Sequence, residues 1–238
     1  MDEISLYLNI TRLFVGCLIL LYASYTDIKT RKASDILWII IGIIGGFLLI
    51  IDISFIGIEN VISLLLIPVM IIVIYLLFQF LPFFGGADVK ALMSLAILVP
   101  FEPRFFMFPI WGSIMPFTWI ILSNSVFIYL VIPISLFFYN LYKRNLDVPY
   151  CFLGYKIELY KAKERFVWPL EKIEDGKIKI SYLSMNKDND DIYKKFEEEG
   201  ISNIWVTPKI PFMIPLLIGF ILSFFVGDIL FLIMSMIL

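Results

Sequence analysis

Apolar residues gather into runs at roughly 4–26, 36–51, 61–81, 87–99, 112–139 and 209–238, separated by short polar stretches. Crossing a bilayer core of ~30 Å takes ~20 helical residues, so the first, third, fifth and sixth runs predict comfortable spans. The second and fourth are short, and predict spans completed by flanking residues and a thinned, polar mouth. The sixth run carries Asp228, expected at its outer end, with an apolar tail to Leu238.

The pattern changes between 140 and 208. Lys177-Ile178-Lys179-Ile180-Ser181-Tyr182 alternates with period two, as a half-buried strand does. Tyr155-Lys156-Ile157-Glu158-Leu159 reads the same way, and Asp190 to Glu199 predicts a short charged helix that Gly200 stops. This stretch holds 12 basic and 12 acidic side chains, against 7 and 9 in the remaining 169 residues. The expected fold is therefore membrane all-α, with about six transmembrane helices and a small β-rich cytoplasmic insert before the last. Its parts are a membrane domain at 1–139, a soluble module at 140–208 and a last transmembrane helix at 209–238.

Composition agrees: 61% of residues are hydrophobic, 17% are charged, and mean hydropathy is +0.92. A water-soluble domain has no means of hiding that much apolar surface. A net charge of −2 gives no reason to expect nucleic acid. Cys17 and Cys151 form neither a CxxC pair nor a disulfide framework. The chain has no histidine, which excludes Ser-His and Cys-His hydrolases and HExxH metalloproteases together. Chemistry here must run on carboxylates, lysines, tyrosines or water, with no metal or cofactor expected. The acidic start Met1-Asp2-Glu3 is unlike the basic n-region of a signal peptide.

Basic residues in short loops set the expected orientation. Lys29, Arg31 and Lys32 follow the first span, Lys90 lies beside the 85–88 turn, and Lys143 and Arg144 follow the fifth span. The opposite loops carry Asp52, Glu59 and Glu102 against Arg104. The 140–208 module and the ends carrying Asp27 and Asp88 then face the cytoplasm. Two acids 61 positions apart in sequence thus reach one membrane depth. Such a pair can share a water between one ionised and one protonated carboxyl, because like charges at ~3 Å do not both ionise. Taken singly, each acid has a plainer reading. Asp27 can face interfacial water, and Asp88 can cap a helix start. Gly85-Gly86-Ala87 just before Asp88 permits close backbone approach by an extended chain.

Asp27 in Tyr25-Thr26-Asp27-Ile28-Lys29-Thr30-Arg31-Lys32 and Asp88 in Gly85-Gly86-Ala87-Asp88-Val89-Lys90 resemble the two signatures of the GxGD membrane aspartic proteases. Within these, the basic stretch after the first acid and Val-Lys after the second are most similar to the type IV prepilin peptidase branch. The charged insert and the lack of a CxxC zinc module are similar to the archaeal preflagellin peptidases. The resemblance implies Asp27 and Asp88 as catalytic acids and Gly85, Gly86 and Ala87 as the path of substrate approach. It further implies removal of a basic class III signal peptide from preflagellin- or prepilin-like precursors at the cytoplasmic face. Ala87 departs from the family glycine but stays small. Ala33-Ser34-Asp35 departs from the Ile-Pro-Asn of bacterial prepilin peptidases, whose N-methylation the missing zinc module argues against.

Asp35 is a candidate for binding the basic leader, or a cap for the second helix. Lys90 either acts on Asp88 or snorkels to lipid phosphates, Arg12 reads as a snorkelling or packing residue, and Cys17 as a packing residue. The aromatic cluster from Phe101 to Trp119 predicts an outer interface belt. Expected partners are the precursor proteins and membrane lipids. The competing classes are a presenilin-like intramembrane protease and a small carboxylate-coupled transporter. The transporter lacks support from any inverted repeat or midplane acid.

Overall fold

The computed structural model describes residues 3–56, 61–80, 85–104, 106–174, 176–180 and 189–237. In chain order the helices are α1 (Glu3–Thr30), α2 (Asp35–Ile51), α3 (Val61–Phe80), α4 (Gly86–Leu98), α5 (Phe117–Tyr129), α6 (Val131–Tyr142), α7 (Tyr150–Leu153), α8 (Leu159–Glu164), α9 (Asn189–Glu198), α10 (Met213–Phe225) and α11 (Ile229–Ile237). The strands are β1 (Tyr155–Glu158), β2 (Val167–Pro169), β3 (Glu171–Glu174), β4 (Lys177–Ile180) and β5 (Asn203–Pro208). The chain divides into two compact units, Met1–Tyr129 with Pro211–Leu238, and Leu130–Ile210.

In the first unit α10 packs against α5 and α1, and α4 against α2 and α3. Leu20, Ile41, Leu92, Leu95, Ile120, Leu216 and Phe220 meet in its core, each with no exposed surface. Helices without a hydrophobic drive between them need close backbone approach. Gly45 supplies it between α2 and α4, since a Cβ there would lie 2.6 Å from Leu98 Cα. The outward faces are also apolar: Phe14, Leu21, Ile36, Ile43, Phe47 and Ile50 are all exposed. A unit apolar both inside and out has lipid as its solvent.

Among the described residues three helices are long and apolar enough to span a membrane: Glu3–Thr30, Asp35–Phe55 and Phe117–Tyr142. Leu64–Phe78 and Met213–Phe225 are shorter apolar helices. The second run is longer than its apolar pattern of 36–51 predicts, because a π-helical turn over Asp52–Ile56 continues α2. The last run, expected as one helix over 209–238, is two. Gly227 has φ +93°, and a Cβ there would sit 1.8 Å from the Trp111 carbonyl, so only glycine lets the 111 segment close on this break. Asp228 is buried at the break, where it accepts from Phe231 N–H at 3.0 Å and from Ser113 Oγ at 2.7 Å. The buried Asn124 amide donates to Ser223 Oγ and Gly227 O and accepts from Ile229 N–H, tying α5 to both halves.

The second unit carries a three-stranded antiparallel sheet, β1-β5-β2, and the antiparallel hairpin β3-β4. The predicted strands and charged helix appear as β1, β4 and α9, with Ser181 and Tyr182 outside the described residues. Phe196 and Tyr193 of α9 pack with Ile157, Ala162, Val167, Ile204 and Val206. Outside, lysine–glutamate pairs such as Lys163–Glu197 and Lys172–Glu174 face water. Asn140 of α6 donates to the carbonyls of Cys151 and Gly154, fixing the chain between α6 and β1.

Candidate active site

Asp27 lies in the last turns of α1, and Asp88 in the first turn of α4. The first turn of a helix leaves its N–H groups unpaired and carries partial positive charge. Each acid uses such an end. Asp88 is 8% exposed, and its Oδ2 accepts from the Gly85 N–H at 2.8 Å, while its own N–H donates to Gly85 O at 3.0 Å. Glycine at 85 has no side chain to compete for these groups. The half-buried Asp27 carboxylate is hydrogen-bonded by the N–H of Met213, the first residue of α10. One turn earlier on α1, Ser24 Oγ donates to Met213 O at 3.0 Å in a buried contact. Met213 is therefore held on both sides by α1, and α10 in turn positions Asp27.

The carboxyls of Asp27 and Asp88 interact electrostatically, and among the described residues no hydrogen bond joins them directly. Arg31 is within electrostatic reach of Asp27, and the Tyr129 phenol within reach of Asp88. Tyr129 packs its ring 5.9 Å from that of Phe212, the residue before Met213. Thus α1, α4, α5 and α10 all contribute to one end of the bundle. Among the described residues no three Cys, Asp or Glu side chains cluster as metal ligands do.

Gly86 is exposed at the start of α4, where a Cβ would meet nothing within 4 Å, while Ala87 beside it is partly buried against the core. At Gly85 it would come no nearer than 3.5 Å, to Asp88 Oδ2. Asp35 opens α2 with its carboxylate bonded to Lys90 Nζ at 2.7 Å. Two residues read separately from the sequence are thus one surface ion pair. Lys29 Nζ and the Tyr25 hydroxyl are hydrogen-bonded on the exposed side of α1.

Arg12 is packed inside the helical unit. Expected to snorkel or pack, it is 4% exposed and ion-paired through Nη2 with Asp52 Oδ2, and its Nη1 meets Asn9 Oδ1 at 3.3 Å. Asp52, read as an outer-loop acid, is buried with it at 9% exposure. Glu59 lies outside the described residues. The residues that sequence reasoning missed are Ser24 and Met213. Ser24 at i−3 from Asp27 was the available hint, whereas Met213 carries no side-chain signal at all.

The long apolar helices of this unit, exposed on their outward faces, define a helical membrane protein. The type IV leader peptidase family matches residues 14–134, and the Archaeal Peptidase A24 C-terminus Type II family matches 146–229. Preflagellin peptidases from Methanococcus voltae and Methanocaldococcus jannaschii are 30% and 31% identical to this chain over 232 residues. Each alignment covers 90% of this chain, with 94% and 93% of the respective relative. A third preflagellin peptidase, from Methanococcus maripaludis, is 27% identical over 236 residues, 90% of this chain and 94% of the relative. The chain belongs to the type IV leader peptidase family.

Proposed function

We propose that this protein is an aspartic endopeptidase of the GxGD type that removes the short basic leader from preflagellin- or prepilin-like precursors. The observation that carries the reading is the pair Asp27 and Asp88. They come from two helices to one end of the bundle and interact electrostatically, each held by a backbone amide. In this reading the pair shares one proton. The ionised carboxyl takes a proton from water, whose oxygen attacks the scissile carbonyl carbon, and the protonated carboxyl donates to the carbonyl oxygen. The tetrahedral intermediate collapses as the leaving amine takes the proton from the first carboxyl and a hydroxyl of the intermediate returns one to the second, which breaks the C–N bond and restores the pair. Amide donors to Asp27 and Asp88 fix the carboxyl planes before substrate arrives, which counts because ~1 Å of misplacement costs ~10²-fold.

Open space at Gly86 leaves room for an extended chain to pass over the start of α4. A lysine or arginine of the leader would compete with Lys90 for Asp35, which gives Asp35 a role in recognition at the cost of one exposed ion pair. The protein crosses the membrane about six times, with 13-residue α4 as the short span lying in a thinned region. The site and the 140–208 module face the cytoplasm, as the basic loops require.

The test is to mix membranes carrying the protein with a preflagellin-like precursor and sequence the N-terminus of the product. Cleavage at one bond after the basic leader is expected from wild type and none from Asp27→Asn. Turnover by Asp27→Asn at the wild-type rate would end the assignment.

A further inference from the structure

Away from the two acids, α2, α3 and α4 enclose an open groove of about 440 Å³. It follows the face of α4 that carries Lys90, Met93 and Ile97, while Asp88, Ala91, Leu92 and Leu95 are buried on the helix's other side. The lining is graded along its length. At the mouth stands the exposed Lys90–Asp35 pair. One turn further along α2, Trp38 lines the wall at 5% exposure, and its indole N–H has no acceptor among the described residues. Deeper still the lining is Gly42, Ile71 and Ile97.

Two of these features have no account within the fold. An unsatisfied buried donor costs ~1–3 kcal/mol. Glycine inside a helix costs ~0.5–1 kcal/mol against alanine, and unlike Gly45 one turn on, Gly42 brings no backbone close: a Cβ there would meet nothing within 4 Å. The unpaired indole N–H is explained if something occupies the groove, and the open space at Gly42 leaves room for it. The outward faces beside it, with Ile36, Ile39 and Ile43 exposed, lie in hydrocarbon, so the groove opens into the bilayer.

We propose that this groove is a binding site for one membrane phospholipid. The headgroup phosphate lies on Lys90, an oxygen joining glycerol to hydrocarbon accepts from the Trp38 indole N–H, and one chain fills the space along Gly42, Ile71 and Ile97. The chemistry matches in order and depth. An ammonium has three donors; Asp35 takes one and leaves two for phosphate. Trp38 lies three residues beyond Asp35 on α2, ~4.5 Å along the axis, which is the step from phosphate to linkage oxygen. The volume falls within the ~300–1,000 Å³ of small-ligand sites. The groove shares only its mouth, the Lys90–Asp35 pair, with the leader-binding role proposed for Asp35.

Native mass spectrometry of the full chain, reconstituted with phosphatidylglycerol and then stripped with detergent, reads it directly. Wild type is expected to retain one phospholipid more than Gly42→Leu, whose side chain fills open space and so is compatible with folding. Trp38→Phe, which removes the donor alone, is expected to bind a few-fold more weakly on lipid titration. Gly46→Leu, at a glycine equally open but outside the groove, keeps the wild-type count. Equal retention by wild type and Gly42→Leu would overturn the proposal. So would equal loss from Gly46→Leu, which would mean annular lipid only. A photo-crosslinker at position 39 that captures a precursor instead of lipid would also overturn it, and assign the groove to substrate.

Discussion

The two ends of α1 handle buried carboxylates in opposite ways. Near its start, Asp52 is neutralised by a direct ion pair with Arg12, itself supported by Asn9, whose Nδ2 reaches Arg104 O at 3.1 Å. Near its finish, Asp27 is held by the Met213 amide, with Arg31 within electrostatic reach, and Asp88 by the Gly85 amide. A carboxylate paired with arginine inside an apolar bundle ties two segments together, because removing either partner leaves a buried charge uncompensated. On the proposed reading, carboxylates held by neutral amides and within electrostatic reach of one another share a proton. The kind of partner, more than burial, would then separate an acid that holds the fold from one that does the chemistry.

The largest effects fall at the amide-held end. Asp27→Asn and Asp88→Asn should each lower cleavage by at least the ~10²–10⁴-fold of lost acid–base catalysis, with membrane insertion unchanged on carbonate extraction. Residual turnover near wild type from either would erase the distinction between the two ends.

At the other end the sign reverses. Arg12→Met leaves Asp52 as a lone buried charge and should cost ~3–5 kcal/mol, read as a lower melting temperature in detergent. Arg12→Met with Asp52→Leu should recover most of that loss and cleave normally. For the same reason Asp52→Asn is a poor neutral control despite its distance from the site. A double variant that folds but does not cleave would bring this end into the mechanism.

Ser24→Ala tests the support behind the dyad. Losing the bond to Met213 O should cost ~1 kcal/mol of stability and lower kcat with KM nearly constant, because Asp27 loses its fixed donor. A fall in stability with kcat unchanged would make Ser24 packing alone. Asp35→Asn should raise KM only a few-fold, an exposed pair being worth ~0.2–1 kcal/mol, and the effect should shrink at high salt. A lower kcat at constant KM would instead place Asp35 in the chemistry.

The smallest effect sits in the 130–210 unit, where Glu171 is another buried acid held by an amide, accepting from Trp205 N–H at 2.9 Å. Burial raises its carboxyl above the ordinary glutamate range; the Trp205 amide and Lys156 partly offset this, and Asp147 adds to it. A raised folded pKa means that folding takes up a proton. Stability is therefore full below the ordinary value of ~4.3 and falls as pH rises through the raised one. Chemical denaturation of wild type and Glu171→Gln across pH 4–8 should show this slope only in wild type. Glu171 belongs to a different compact unit from Asp27 and Asp88, and Glu171→Gln should leave kcat unchanged.

What the chain determined by itself was solvent and inventory. Apolar runs marked the lipid-facing helices, period-two alternation marked β1 and β4, and Gly200 ended α9 at φ +68°. These patterns are local, so a single segment carries them. The absence of histidine and the Gly-Gly-Ala-Asp start of α4 singled out the acids for the same reason. What tertiary structure decided was the partner of each polar group. Ser24 meets Met213 across 189 positions, Lys90 meets Asp35 across 55, and Arg12 meets Asp52 across 40. The break at Gly227 was invisible because an isolated glycine in an apolar run is compatible with a continuous helix. Only the Trp111 carbonyl packed against it turns that tolerance into a requirement. A backbone amide such as that of Met213 has no side-chain signature, so its role emerges only where packing brings a helix start to an acid.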